Sequence, residues 1–110
     1  MIGDIAGYIA IMQLQRAYAD ASTRKAWPEL VALVTADARF EFDTRTGNVF
    51  EMEGPDAFAE FAAKMTDTFS FYEYVPLNFV VTSLSGNTAR GRSYSFEIGE
   101  DRTSGEVTTR

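Results

Sequence analysis

Ile2, Ile5, Ile9 and Met12 recur at intervals of three and four, and Ile11, Leu14, Tyr18 and Ala21 form an adjoining stripe. This is the period of an amphipathic helix with an apolar face wide enough to lie across a sheet. After "DASTRK", the run "AWPELVALV" predicts a second, short helix, with Pro28 suited to a first turn and Trp27, Leu30 and Val34 on one side. The period then changes to two. In "ADARFEFD", Ala38, Phe40 and Phe42 face one way and Asp37, Arg39, Glu41 and Asp43 the other, a half-buried strand. "TRTGN" supplies a turn and "VFEME" a short partner strand. The helical period returns in "GPDAFAEFAAKMTDTF", where Phe58, Phe61, Ala62, Met65 and Phe69 share a face.

From Phe71 the chain reads as strands: "FYEYVPLNFVVTSL", a turn at "SGN", then "TARGRSYSFEI". Alternation puts Tyr72, Tyr74 and Asn78 on one face and Phe71, Glu73, Val75, Leu77 and Phe79 on the other. In the next strand Thr88, Arg90, Arg92, Tyr94, Phe96 and Ile98 share one face. Ala89, Gly91, Ser93 and Ser95 form a nearly flat opposite one, over which a helix or ligand can come close. "GEDRTSG" reads as a solvated loop and "EVTTR" as the start of another strand. Helices in the first half followed by antiparallel strands define an α+β fold.

Composition narrows the chemistry. One hundred and ten residues make one domain with one core, and 14% aromatic residues suggest a core or cavity built with rings. Sixteen acids against ten bases give a net charge of −6, with no basic stripe; neither nucleic acid nor an anionic membrane is the expected partner. With no cysteine and no histidine, thiolate chemistry, disulfides and the commonest metal ligands are excluded. Carboxylates, tyrosines, lysine or a bound cofactor must carry any reaction. No basic leader or apolar span is visible in "MIGDIAGYIAIMQ", and a cytoplasmic location is expected.

"YADASTRKAWPELVALVTADARFEF", "EGPDAFAEF" and "NFVVTSLSGNTARGRSY" together resemble the SnoaL-like branch of the nuclear-transport-factor-2-like superfamily, which includes polyketide cyclases, ketosteroid isomerases and dehydratases. The resemblance covers nearly the whole of residues 1–110. It implies a cone, a curved antiparallel sheet wrapped around about three helices and enclosing a deep apolar pocket, and a homodimer formed through the outer face of the sheet. It also implies a further long strand beyond Arg110: either more chain follows, or the chain truly ends there and leaves an open edge for a partner to cover.

Site residues follow from the resemblance. Tyr18 occupies the place of a pocket tyrosine that donates a hydrogen bond to a developing oxyanion. The isomerase base falls on Phe42; Asp43 lies one residue on, facing the other way, and reads as a strand-end acid beside a turn. Thr23 and Tyr74 stand where dehydratase-like members carry an aspartate and a histidine. Asn78 keeps the family asparagine. The expected catalytic pair is therefore Tyr18 and Tyr74, with Trp27, Phe42, Phe58, Phe61, Met65, Tyr72, Asn78 and Tyr94 contacting a small hydrophobic molecule, and no cofactor or metal. Glu73 is expected to point outward unless Pro76 or a bulge shifts the register and brings it into an apolar wall. Two functions remain open: proton transfer next to a carbonyl, as in isomerisation, cyclisation or dehydration, or non-catalytic ligand binding or scaffolding. A carboxylate facing the pocket marks the enzyme. A neutral, all-aromatic wall marks the binder.

Overall fold

A computed structural model describes residues 4–110. The order is α1 (Ile5–Thr23), α2 (Trp27–Ala32), β1 (Arg39–Asp43), β2 (Val49–Glu53), α3 (Pro55–Thr66), β3 (Phe69–Ser85), β4 (Thr88–Asp101) and β5 (Val107–Thr109). The fold is α+β, with the helices ahead of a curved antiparallel sheet. The strands divide into a two-stranded sheet, β1-β2, and a three-stranded sheet in the order β3-β4-β5.

The core forms where these parts meet. Leu30 and Phe58 are fully buried, and Ala21 joins them from α1. Phe58 is the hub: its ring stacks on Phe40 at 4.2 Å, with Phe42 and Tyr18 at 6.0 and 6.1 Å. Alternation in β1 turns Phe40 and Phe42 inward while Arg39, Glu41 and Asp43 stay exposed. Pairing of Phe40 with Met52 and Phe42 with Phe50 completes the apolar face of the hairpin. Its turn rests on Asp43 Oδ1, which accepts the Arg45 amide at 2.9 Å and supports a positive φ of 61° there.

Helix α1 is present, and its inner face follows the adjoining stripe through Ile11, Tyr18 and Ala21 rather than the first one. Ile2 lies outside the described residues; Ile5, Ile9 and Leu14 are exposed at 52, 54 and 44%. The helix instead turns Gly7, Ile11, Gln15, Tyr18 and Ser22, spaced four, four, three and four, toward the protein. Small residues help to decide this. A Cβ at Gly7 would come within 3.3 Å of Leu84 Cδ2 on β3, and the small buried Ala21 packs with Leu30 and Phe58. Thr23 then clips helix to strand: its hydroxyl oxygen accepts the Tyr74 amide at 2.9 Å and donates to the Tyr74 carbonyl at 3.4 Å. β3 is an edge strand, and this contact satisfies backbone groups that β4 does not reach.

Helix α3 stops at Thr66, three residues short of the apolar pattern, so Phe69 belongs to β3. The Thr66 hydroxyl bonds back to the Ala62 carbonyl at 2.9 Å, and Lys25 Nζ donates to the Thr66 and Phe69 carbonyls at 3.1 and 3.2 Å. Phe69 instead lies over Gly99, where an added Cβ would meet its ring at 2.5 Å.

The β3–β4 register decides which side chains face the helices. Tyr72 pairs with Gly99, Tyr74 with Glu97 and Pro76 with Ser95 on one face; Glu73 pairs with Ile98 on the other. Between Pro76 and Phe79 the register shifts, three residues on β3 spanning two on β4. Phe79 therefore comes inward, over Gly91, where a Cβ would stand 2.8 Å from its Cζ. The shift follows Glu73 in the chain, so Glu73 stays exposed and outward. Asn78 falls inside the shift and is separated from Tyr72 and Tyr74.

Truncating Phe58 removes the ring that joins α3, β1 and α1. Phe58→Ala should lower unfolding free energy by about 3–5 kcal/mol in urea denaturation. A loss below about 1 kcal/mol would show that this hub does not hold the layers together.

Candidate functional site

Between α1, α3, the hairpin and the inner face of β3–β4 lies a cavity of about 440 Å³. Its apolar wall comes from Trp27, Phe42, Phe58, Phe61, Ala62 and Met65, and Tyr18, Tyr72 and Tyr74 close the side toward the sheet. Eight of the ten expected residues thus line one space. Phe61 stacks on Phe42 at 4.9 Å, and Tyr74 meets Tyr18 edge-on at 5.4 Å. Asn78 and Tyr94 do not line it. The register shift after Pro76 carries Asn78 away, and Tyr94, half exposed, opposes the shifted segment.

The cavity is not wholly apolar. Glu97, Arg110, Ser95 and Asp43 also line it. Glu97 enters because the small-residue face of β4, Gly91, Ser93 and Ser95, continues by alternation to Glu97 and Gly99. The Tyr72 hydroxyl donates to Glu97 Oε1, and Arg110 Nε donates to Glu97 Oε2 at 2.8 Å. Arg110 arrives through the backbone: its amide and carbonyl pair with those of Glu97 at 3.1 and 2.7 Å, extending the β4–β5 ladder. A carboxylate held by two donors on a strand is fixed in direction. Alternation carried two residues past Ser95 would have found Glu97. Nothing local in the sequence marks Arg110.

Asp43 sits at the rim, engaged with the Arg45 amide, in keeping with a turn acid. Thr23, at the place of the dehydratase aspartate, serves the backbone of Tyr74 and is absent from the cavity lining. Among the described residues, no group of three or more acidic side chains is placed to hold a metal ion, and no helix is long and apolar enough to cross a membrane.

The tyrosines differ from free phenols. Burial, then the neighbouring Tyr74 and the charge of Glu97, push the Tyr18 phenol up to about 12, with the Ser22 hydroxyl offsetting part of the shift. Tyr72 is pushed up further, by burial first and then by its bond to Glu97. Tyr18 is therefore a neutral donor across the whole physiological range.

The folded chain holds these phenols neutral to higher pH than the unfolded chain does. For Tyr18 the contribution to stability is complete below the ordinary value of 10 and is lost as pH rises from 10 through about 12; that of Tyr72 persists higher. Urea midpoints should fall over that window, and less steeply in Tyr18→Phe. An identical slope in the variant would contradict the buried phenol.

No curated protein matches this chain in sequence. Among solved structures it is similar to a provisionally named scytalone dehydratase of Novosphingobium aromaticivorans, with a TM-score of 0.80 at 18% identity, over 94% of this chain and 67% of that one. A provisionally named aromatic ring hydroxylase of the same organism gives a TM-score of 0.76 at 27% identity, over 92% and 69%. A nuclear-transport-factor-2-like protein of unknown function from an Exiguobacterium species gives 0.62 at 22%, over 87% and 78%. The SnoaL-like domain family matches residues 4–110. With that match over nearly the whole chain, and with the helix order and curved sheet in agreement, the chain belongs to the SnoaL-like family.

Proposed function

We propose that the protein binds a small, ring-containing carbonyl compound in this cavity and moves a proton on it, in an isomerisation, cyclisation or dehydration. One observation carries the reading: Glu97 lines the same cavity as Tyr18 and Tyr74. This supplies the acid–base group that family positions Thr23, Phe42 and Tyr74 lack. In the proposed step the Glu97 carboxylate takes a proton from carbon next to the carbonyl. The C–H electron pair moves into the enolate, and the charge growing on oxygen meets the Tyr18 hydroxyl. In isomerisation Glu97 returns the proton to another carbon. In dehydration the enolate expels the β-hydroxyl as its C–O bond breaks, and Glu97 protonates it to water. In cyclisation the enolate carbon bonds to a second carbonyl carbon, and the resulting alkoxide takes the proton. Tyr74 holds the Tyr18 ring edge-on, and Tyr72 and Arg110 hold the carboxylate. The volume and the aromatic wall suit a compound of two or three fused rings.

The ion pair with Arg110 supports a second reading, a binding protein in which that pair only closes one end of the cavity. Exposed Phe71 and Val80 support a homodimer through the outer sheet face in either case.

Deuterium uptake from heavy water at the α-carbons of 2-tetralone tests the reaction without knowledge of the natural substrate. The protein should accelerate exchange, Glu97→Gln should lose about 10²-fold or more, and Tyr18→Phe about 10²-fold. Binding of 2-tetralone by calorimetry with exchange no faster than in buffer would favour the binding protein.

A further inference from the structure

Asn78 and Tyr94 lie on a second recess, about 170 Å³ in volume, between α1 and the shifted segment of β3. Met12, Gln15 and Arg16 line its helix side; Pro76, Leu77, Phe79 and Ser93 complete the sheet side. Tyr74 lines both this recess and the main cavity. The two spaces are therefore neighbours along one groove between α1 and the inner sheet face. Their helix linings, Gln15–Arg16 and Tyr18–Ser22, lie within two turns of each other, and their floors, Ser93 and Ser95, are two residues apart.

Their chemistry differs. The main cavity is ringed by aromatics and holds Glu97, which disfavours a second negative charge beside it. The recess holds an arginine, two amides (Gln15 and Asn78) and a serine among apolar groups, and no acidic side chain lines it. Arg16 forms no salt bridge among the described residues, since nearby Asp20 is engaged by Arg24 at 2.8 Å.

We propose that the recess is a second compartment of the binding site, taking the carboxylate end of an amphipathic ligand whose rings occupy the main cavity, with Tyr74 as the partition. The inference rests on the ligand-binding part of the proposed function and narrows its ligand class to ring compounds with a short acidic side chain. Arg16 supplies the cation, Gln15 and Asn78 supply amide donors, and Tyr74 sets the side-chain length needed to pass from one space to the other. The register shift that removed Asn78 from the main cavity is what places it here.

Calorimetry with ω-(2-naphthyl)alkanoic acids of increasing tether length, their primary amides and 2-methylnaphthalene tests this. Affinity of the acids should pass through a maximum at an intermediate tether. At that length the acid should exceed its amide by about tenfold, the size of one charge-assisted contact, and the preference should shrink with salt. Arg16→Gln should abolish the preference while leaving 2-methylnaphthalene binding intact, which also reports that the variant is folded. Equal affinity of acid and amide, or a steady rise with tether length, overturns the second compartment and leaves the main cavity standing. Failure of 2-methylnaphthalene to bind removes both.

Discussion

Stacking of aromatic rings on Phe58 is the contact on which the rest of this small fold depends. Among the described residues the strands form two separate sheets, with no hydrogen-bonded ladder joining the β1–β2 hairpin to the β3–β4–β5 sheet. The bridge is made by side chains. Phe40 and Phe42 reach Phe58 from the hairpin, Tyr18 reaches it from α1, and Tyr18 in turn meets Tyr74 on β3. A full burial of one such ring is worth about 2–3 kcal/mol, a large share of the stability of a domain of this size. The same chain of rings forms one wall of the cavity. Stability and the shape of the cavity thus draw on one set of side chains, and the cavity is the space left where the rings meet the small-residue face of β4.

That face explains how a charged group comes to sit in an aromatic cavity. Gly91, Ser93 and Ser95 keep β4 low beneath the groove, and Glu97 is the first long side chain on the same face. A lone carboxylate there would be costly to desolvate. Tyr72 and Arg110 offset that cost with direct hydrogen bonds, and they also fix where the carboxylate points. Tyr18, lining the same cavity, is held neutral by burial. A fixed acceptor and a neutral donor facing one space are the two elements that proton transfer beside a carbonyl requires. The donor stands where the family resemblance suggests, on α1, whereas the carboxylate stands on β4 rather than on β1 or at the end of α1.

Much of the fold was legible from periodicity, since helix and strand patterns in this chain are set mainly by local apolar spacing. The Phe40/Phe42 alternation, the α3 stripe through Phe58, Phe61 and Met65, and the inward Tyr72 and Tyr74 all follow from it. Two features were not. Helix α1 turns Gly7, Gln15 and Ser22 inward beside Ile11, Tyr18 and Ala21 and leaves Ile5 and Ile9 exposed, because closeness of backbone approach, as at Gly7 against Leu84, helps to select its inner face. The register shift after Pro76 reverses the face of Phe79 and displaces Asn78, and a period-two reading has no means of placing an inserted residue. Glu97 was within reach of the alternation through Ser95. Arg110 was not, because only strand pairing brings it beside Glu97.

The most direct test of a cavity lined by both a neutral donor and a carboxylate is a crystal structure with bound 2-naphthol, a stable analogue of an aromatic enol. The account predicts the ring against Phe42 and Phe61, the naphthol oxygen in hydrogen-bond reach of the Tyr18 hydroxyl, and the Glu97 carboxylate over a ring carbon next to that oxygen. A ligand seated elsewhere, or Glu97 turned out of the cavity when the ligand is bound, would contradict it.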